Sequence, residues 1–402
     1  MLSRSADVPT RRVLILVENL PVPFDRRVWQ EATALTAAGY QVSVVCPTGK
    51  GYEKRREDLA GIYISRYPQP PEGAGALGYV VEYALSVFWM TLLSWRVFLT
   101  RGIDVIHACN PPDLLFLVAL PFKLFGCRFV FDHHDINPEL FEAKFGKRGW
   151  LHGLICWFER VSFLAADISI ATNESYRQIA LGRGRMRPER VFVVRSGPDL
   201  QRLHLQPPQE RLKGGRRFLV GYVGVMGRQE GIELLLRAVH HIVTDLGRGD
   251  IQFVLVGGGT SLEELRILAT DLGVSPWVAF TGRVPDSELL AVLNTAEVCV
   301  NPDVANEMND KSTMNKIMEY MALGKPIVQF DLTEGRVSAG EASLYARRND
   351  PVDLGDKLVQ LLDDPERRRI MGDHGRRRVL EVLEWRHEAP KLIAAYASLW
   401  AG

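Results

Sequence analysis

The stretch NDKSTMNKIMEYMALGKPIVQ, residues 309–329, sets an amphipathic helical pattern directly ahead of a buried strand. At about 100° per residue, Met314, Ile317, Met318, Met321 and Ala322 share one face. Ser312, Lys316, Glu319 and Leu323 fall on the other. Asp310 or Ser312 is placed to cap the helix, and Gly324 to end it. The short apolar run that follows suits a strand covered on both faces. A helix feeding such a strand is half of a crossover unit, and crossover units build parallel sheets.

The same alternation continues in both directions. Upstream, RRVLILVEN, YQVSVVCP, GIYISRYP, DVIHACNPPD, CRFVFDHHD, DISIATNES and RVFVVRSGPD read as strands, with helices predicted over 26–38, 77–99 and 113–125 among them. A polar segment rich in proline and glycine, residues 196–217, interrupts the series. A second series then starts: FLVGYVGVMG, IQFVLVGGG, WVAFTGRV, AEVCVNPD and KPIVQFDL. The expectation is α/β, with two Rossmann-like doubly wound domains and a cleft between them. The first covers 1–196 and the second 197–375, with a terminal helical segment, 376–402, packing back on the first. In open α/β sheets ligands bind outside the carboxyl ends of the strands.

Composition narrows the class. The chain has 402 residues, 47% hydrophobic and 24% charged, with a net charge of +1. That balance fits a protein with large cores and gives no sign of a nucleic-acid partner. Five scattered cysteines have no metal-ligand spacing and read as reduced thiols in a cytoplasmic protein. The amino-terminal MLSRSADVPTRR lacks the apolar core of a signal peptide. The most apolar segment, residues 77–99, is broken by Glu82 and Arg96 and falls short of the roughly 20 uncharged residues of a spanning helix. It reads either as a buried helix or as one lying in a membrane interface, anchored by Trp89, Trp95 and Arg96.

By spacing alone, Lys316 and Glu319 make an ordinary surface pair. Their position after the long loop CVNPDVANEMND, at the carboxyl end of a strand, points elsewhere. A helix start with free N–H groups suits a phosphate, a lysine one turn in adds charge, and a glutamate further along suits a ribose diol.

NKIMEYMALGKPIV, VGYVGVMGRQEGIELLLRAV and SGPDLQRLH, together with FDHHDINPEL, resemble segments of the family-4 retaining glycosyltransferases, which have the GT-B fold. The resemblance covers nearly the whole chain. It implies that Glu319 binds the donor ribose and that Lys316 meets the diphosphate, as in a subgroup acting on cell-surface polysaccharide precursors. Two departures stand out. The first of the family's two glutamates falls on Lys311, and its usual arginine and lysine in the donor-domain turn fall on Val225 and Glu230. Arg228 and Lys316 are the candidate replacements.

The donor set expected from this reading is Gly224, Gly227, Arg228, Gly258, Ser312, Thr313, Lys316 and Glu319. Gly224 and Gly227 would let backbone approach the diphosphate, and the turn holding Gly258 would face base or phosphate. His134 and Asp135 are the catalytic candidates. His133 points to the opposite side of its strand. Asp25, Arg26, Arg27 and Glu139 are the acceptor-side candidates. No metal and no cofactor is expected, the nucleotide sugar being a substrate. The implied reaction moves a hexosyl or N-acetylhexosaminyl group, with retention, from a nucleotide-diphosphate sugar, UDP favoured. The acceptor is a lipid-linked or other saccharide, in the cytoplasm or on the inner face of the cytoplasmic membrane. Two other readings share the architecture: a nucleotide-sugar epimerase, and a non-catalytic scaffold that binds the sugar nucleotide.

Overall fold

The computed structural model describes residues 10–71, 75–146 and 148–401. Residues 1–9, where no signal peptide is expected, lie outside them. The chain divides into two compact units, one of residues 1–195 with 388–402, the other of residues 196–387. The sequence reading starts the terminal segment at 376. The helix Pro365–Arg378 instead stays with the second unit, because Arg376 donates to the Ala322 carbonyl at 3.0 Å and Gly372 packs against the Gly324 carbonyl too closely for a Cβ. Val379 and Leu383 then bury in that unit's core.

The first unit's strands are β1 (Arg12–Leu16), β2 (Gln41–Pro47), β3 (Arg56–Leu59), β4 (Ile62–Tyr67), β5 (Val105–Cys109), β6 (Arg128–His133), β7 (Ile168–Ala171) and β8 (Val191–Val193). Their order in the sheet is β3-β4-β2-β1-β5-β6-β7-β8. All neighbours are parallel except β3 and β4, an antiparallel hairpin at the edge. The sequence reading missed β3 (REDL) because an exposed, charged edge strand carries no apolar alternation. β1 and β5 are apolar almost throughout because helices cover both faces of the sheet.

The second unit holds β9 (Phe218–Val223), β10 (Ile251–Val256), β11 (Val278–Gly282), β12 (Val298–Asn301), β13 (Ile327–Phe330) and β14 (Ser343–Ala346), in the all-parallel order β11-β10-β9-β12-β13-β14. β14, short and opening on serine, was also not anticipated. Helix Ile232–Thr244 shows why the layers form. Ile232, Leu235, Leu236, Val239 and Ile242 recur at helical spacing and bury on β9 and β10. Each contributes roughly 1.5–3 kcal/mol of burial, and truncating Leu235 to alanine would cost about 2–5 kcal/mol.

In both units strand order reverses beside the first strand, between β1 and β5 and between β9 and β12. A crevice opens at such a reversal because successive crossovers leave on opposite faces of the sheet. The loops after these four strands are therefore where each unit can hold a ligand.

Candidate functional site

In the second unit the opening stretch folds differently from its sequence reading. Instead of one helix from Asp310 or Ser312, a short helix Glu307–Lys311 is capped by Asn306. The chain then leaves helical geometry at Ser312, whose Oγ donates back to the Met308 carbonyl at 2.7 Å. A second helix, Asn315–Ala322, begins after Met314, which gives no side-chain cap. Ser312 and Thr313 thus sit in the break, and Asp310 is not a cap. Ile317, Met318, Met321 and Ala322 form the buried face as expected, joined by Tyr320. Tyr320 Oη accepts from the Val223 N–H at 2.9 Å and pins the helix to the end of β9.

Lys316 and Glu319 do not bond to each other. Lys316 is 11% exposed and reaches Glu230 Oε2 at 2.7 Å and Asp303 Oδ1 at 2.8 Å. Its ammonium also stands 5.0 Å from the centre of the Tyr222 ring. Glu230 lies in the loop after β9 and Asp303 in the loop after β12, so this one ammonium ties together both sides of the crevice. Burial pulls the Lys316 pKa down, but Asp303, then Tyr222 and Glu230, outweigh it and hold the pKa well above its ordinary value. Burial pushes the Asp303 carboxyl up to about 7, and Glu230 adds to that while Lys316 opposes it. Glu319 is bound by Arg202, which also reaches Asp286 at 3.3 Å. Arg202 carried no signal in the sequence, since it lies 117 residues away in the chain.

The glycine turns serve each other. A Cβ on Gly257 would fall 1.8 Å from the Gly224 carbonyl oxygen, and one on Gly259 would fall 2.5 Å from that of Met226. Gly231, at φ +65°, has the Pro302 carbonyl 1.8 Å from where its Cβ would be. Gly224 is confined by the Tyr222 hydroxyl at 2.5 Å. Gly227 meets only the flexible Gln229 side chain, and Gly258 makes ordinary contacts. Close packing of neighbouring loops therefore explains Gly231, Gly257 and Gly259, the Tyr222 hydroxyl crowds Gly224, and nothing demands a glycine at Gly258. Arg228 is 88% exposed, with Glu264 at 4.0 Å, and does not join the Lys316 cluster.

In the first unit the loops after β1, β5 and β6 gather a buried charged cluster. Asp25 caps helix Arg26–Ala37 by accepting from the Val28 N–H, and Arg26 is exposed. Arg27, expected at the acceptor, turns inward instead. Its guanidinium lies 3.0 Å from both Glu31 and Asp132, and its Nε lies 2.8 Å from His134 Nε2. Glu139 is likewise enclosed, accepting two 3.0 Å bonds from Arg183. Partners far along the chain, Asp132 for Arg27 and Arg183 for Glu139, hold both side chains inward, and a linear reading does not reveal them.

Asp132 is the hub. Burial opposes its charge, but Arg27, His134 and His107 outweigh that and hold its pKa well below the usual carboxylate range. Burial drives Glu31 the other way, toward the neutral acid, with Arg27 opposing. Burial also lowers the His107 pKa and leaves a neutral ring. That ring accepts at Nδ1 from the Tyr396 hydroxyl (2.7 Å) and donates from Nε2 to Asp132 Oδ2 (3.1 Å). His134 Nε2 lies 2.6 Å from the same Oδ2 and 2.8 Å from Arg27 Nε, so it either donates to Asp132 or accepts from Arg27. Among the described residues nothing bonds to its Nδ1, the atom left to meet a ligand. Asn110 Oδ1 accepts from the backbone N–H of His134 (2.6 Å) and Asp135 (3.0 Å) and fixes the loop after β6. Burial raises the Asp135 carboxyl pKa, against His134. His133 points away, as alternation predicts, into Phe131, Phe163 and Tyr176, with Glu159 at 3.3 Å.

Glu31, Cys109, Asp132 and His134 have ligand atoms within 4.8 Å of one another. The set suits a metal poorly. Arg27 already engages three of the four, and burial raises the Cys109 thiol pKa well above its ordinary value, away from the thiolate that a metal needs.

Comparison with known proteins follows the two units. Residues 25–202 match the Glycosyltransferase Family 4 model, and residues 217–364 match the Glycosyl transferases group 1 model. The chain is 30% identical to the D-inositol 3-phosphate glycosyltransferase of Corynebacterium urealyticum over 226 residues, 52% of this chain and 51% of that one. It thus spans about half the length of that relative. Among solved structures it is similar to sucrose-phosphate synthase from Thermosynechococcus elongatus, with a TM-score of 0.80, 19% identity, and 97% and 99% of the two chains covered. It is also similar to HepE from Anabaena in complex with UDP-glucose, with a TM-score of 0.74, 16% identity, and 96% and 99% covered. The two parallel sheets and these likenesses give the GT-B fold.

Proposed function

The chain belongs to the family-4 glycosyltransferases, and from that premise we propose that it transfers a hexosyl or N-acetylhexosaminyl group, with retention, from a UDP-sugar to a lipid-linked or other saccharide acceptor in cell-surface polysaccharide synthesis. The observation that carries the reading is Lys316, whose ammonium spans the loops after β9 and β12 at the reversal of strand order. Its Nζ meets Glu230, the position to which the resemblance assigns the family's turn lysine. The cation is thus supplied from the helix rather than from the turn. A diphosphate replaces one carboxylate on the ammonium, and Asp303 takes up a proton and removes the repulsion that a second carboxylate would give. Glu319, oriented by Arg202, accepts from the ribose hydroxyls. The UDP-glucose in the HepE complex supports the choice of donor.

His134 acts at the transferred sugar in this reading. Its Nε2 sits between Asp132 and Arg27, donating to the one or accepting from the other, and either bond orients the ring and presents Nδ1. As the bond from the anomeric carbon to the diphosphate breaks, Lys316 balances the leaving-group charge, and the acceptor hydroxyl attacks from the same face and gives its proton to the departing diphosphate oxygen, without a covalent intermediate. No metal is needed for these steps.

The test is transfer from a panel of UDP- and GDP-sugars, with the product anomer read by NMR and nucleotide binding by calorimetry. His134→Ala should lower turnover by about 10²–10⁴-fold with UDP binding intact. Epimerised nucleotide sugar in the absence of acceptor would assign the protein to the epimerase reading. Nucleotide binding without turnover of any sugar would make it a scaffold.

A further inference from the structure

The helix Gly75–Arg101 is apolar on all sides yet mostly uncovered, with 22% of its most apolar window buried. Ser86, Met90, Ser94 and Val97 face the sheet. Leu85, Phe88, Leu92 and Leu99 recur at helical spacing on the outward side and are exposed. An exposed stripe continues on the adjoining helix Phe116–Lys123 with Leu117 and Leu120, followed by Leu124 and Phe125. It extends to helix Trp150–Ala165 with Trp150, Trp157 and Leu164. Right-handed crossovers place these three helices on the same face of the sheet. An apolar patch of this extent on a single unit marks an interaction surface.

What it meets is indicated by a cavity of about 380 Å³ at the patch edge, between the β3–β4 hairpin and the helix Gly75–Arg101. Trp89, Leu92 and Leu93 form its apolar side, and Arg55, Arg56 and Arg96 its rim. Arg66 also lines it but is neutralised by Glu57 at 2.6 Å, and no carboxylate lines it. Arg55, Arg56 and Arg96 are exposed, and among the described residues none of them forms an ion pair. Four of the eight tryptophans lie on the first and third of these helices, at residues 89, 95, 150 and 157. Aromatic rings beside uncompensated arginines, at the border of an apolar face, are the chemistry of a bilayer interface.

We propose that this face docks on a bilayer and that the cavity takes the phosphate of an anionic phospholipid, with Arg55, Arg56 and Arg96 on the head group and an acyl chain along Leu92 and Trp89. The site rests on the preceding reading only in that a lipid-linked acceptor would be met at the same surface, and its test is independent of transfer. Full-length protein is sedimented with vesicles of phosphatidylcholine alone and of phosphatidylcholine with phosphatidylglycerol. Partition into the phosphatidylglycerol vesicles is expected. Arg55→Ala/Arg56→Ala/Arg96→Ala should weaken it about a hundredfold, from several-fold per arginine. Leu92→Ser/Phe125→Ser should weaken it too, and in a way that added salt does not mimic. An unchanged urea midpoint of the first unit in both variants shows that unit folded, which UDP binding in the second unit would not report.

Equal binding to both vesicle types, or an unaffected arginine variant, would overturn the anionic site. So would a dimer in vesicle-free solution that Phe88→Ser abolishes, since the face would then belong to a second copy. Inorganic phosphate that displaces the protein from vesicles at equal ionic strength would reassign the cavity to a soluble anion. Vesicle binding with no glycosyl transfer would leave this inference standing while the enzymatic reading fell.

Discussion

The two units place charge at the same topological point in opposite ways. Each reverses strand order beside its first strand, and each gathers ionisable side chains in the loops there. In the first unit Arg27 is enclosed with Asp132, Glu31, His107 and His134, and Tyr396 closes the cluster from the terminal helix. In the second, Lys316 is enclosed to much the same degree, 11% exposed against 8% for Arg27, but its partner Glu230 is 17% exposed where Glu31 and Asp132 are wholly buried. A buried guanidinium with fixed partners is a framework that orients one outward group, His134. An ammonium whose partner carboxylate is partly open to solvent can exchange that partner for a ligand, which is the role proposed for Lys316. The two crevices thus differ in how far the partners of the central cation are enclosed, rather than in how far the cation itself is.

The largest expected effect breaks the framework. Asp132→Ala leaves Arg27 buried without its ionised partner and should destabilise the first unit by about 3–5 kcal/mol, read from the urea midpoint. Glu31→Gln should stay within about 1 kcal/mol, because burial already favours its neutral form. A larger loss would mean that Glu31 rather than Asp132 carries the charge. Next comes the proposed binding group. Lys316→Met should weaken UDP by about 2–3 kcal/mol in calorimetry, the worth of a charge-assisted bond to phosphate. Lys316→Arg should not restore it, since a planar fork cannot replace a point charge between two carboxylates.

The smallest effect sharpens the difference between the units. Asp303, with its carboxyl pushed up to about 7, is protonated below that pH and ionised above it. UDP binding should therefore take up protons near neutrality, and affinity should fall as pH rises through 7, by about tenfold at most. Calorimetry in buffers of different ionisation enthalpy measures this, and Asp303→Asn should flatten the profile. The same variant removes a stability term of defined sign. A carboxyl raised in the folded state loses stability as pH climbs from its unfolded value near 4 toward 7, and the amide does not.

Much of this was legible in the chain. The strands that form the centres of both sheets are continuous apolar runs, and a run covered on both faces can be read without knowing its neighbours. Edge strands β3 and β14 were missed because partial exposure removes that signature. The helix that holds Lys316 was legible by its apolar period, but not its break at Ser312, where a side-chain hydroxyl competes for the Met308 carbonyl. Glycines 224 and 227 were read as room for a ligand, whereas Gly231, Gly257 and Gly259 are required by loops packed on each other and Gly224 is crowded by the Tyr222 hydroxyl.

Periodicity and punctuation are local, so the sequence by itself determined the two doubly wound domains, the division near residue 196, and the helix faces that bury. Partnership among charged side chains is not local. Arg27 with Asp132, Glu319 with Arg202, and His107 with Tyr396 join residues 105, 117 and 289 positions apart. Only the tertiary structure brings them within bonding distance, and burial then decides which of them stays charged.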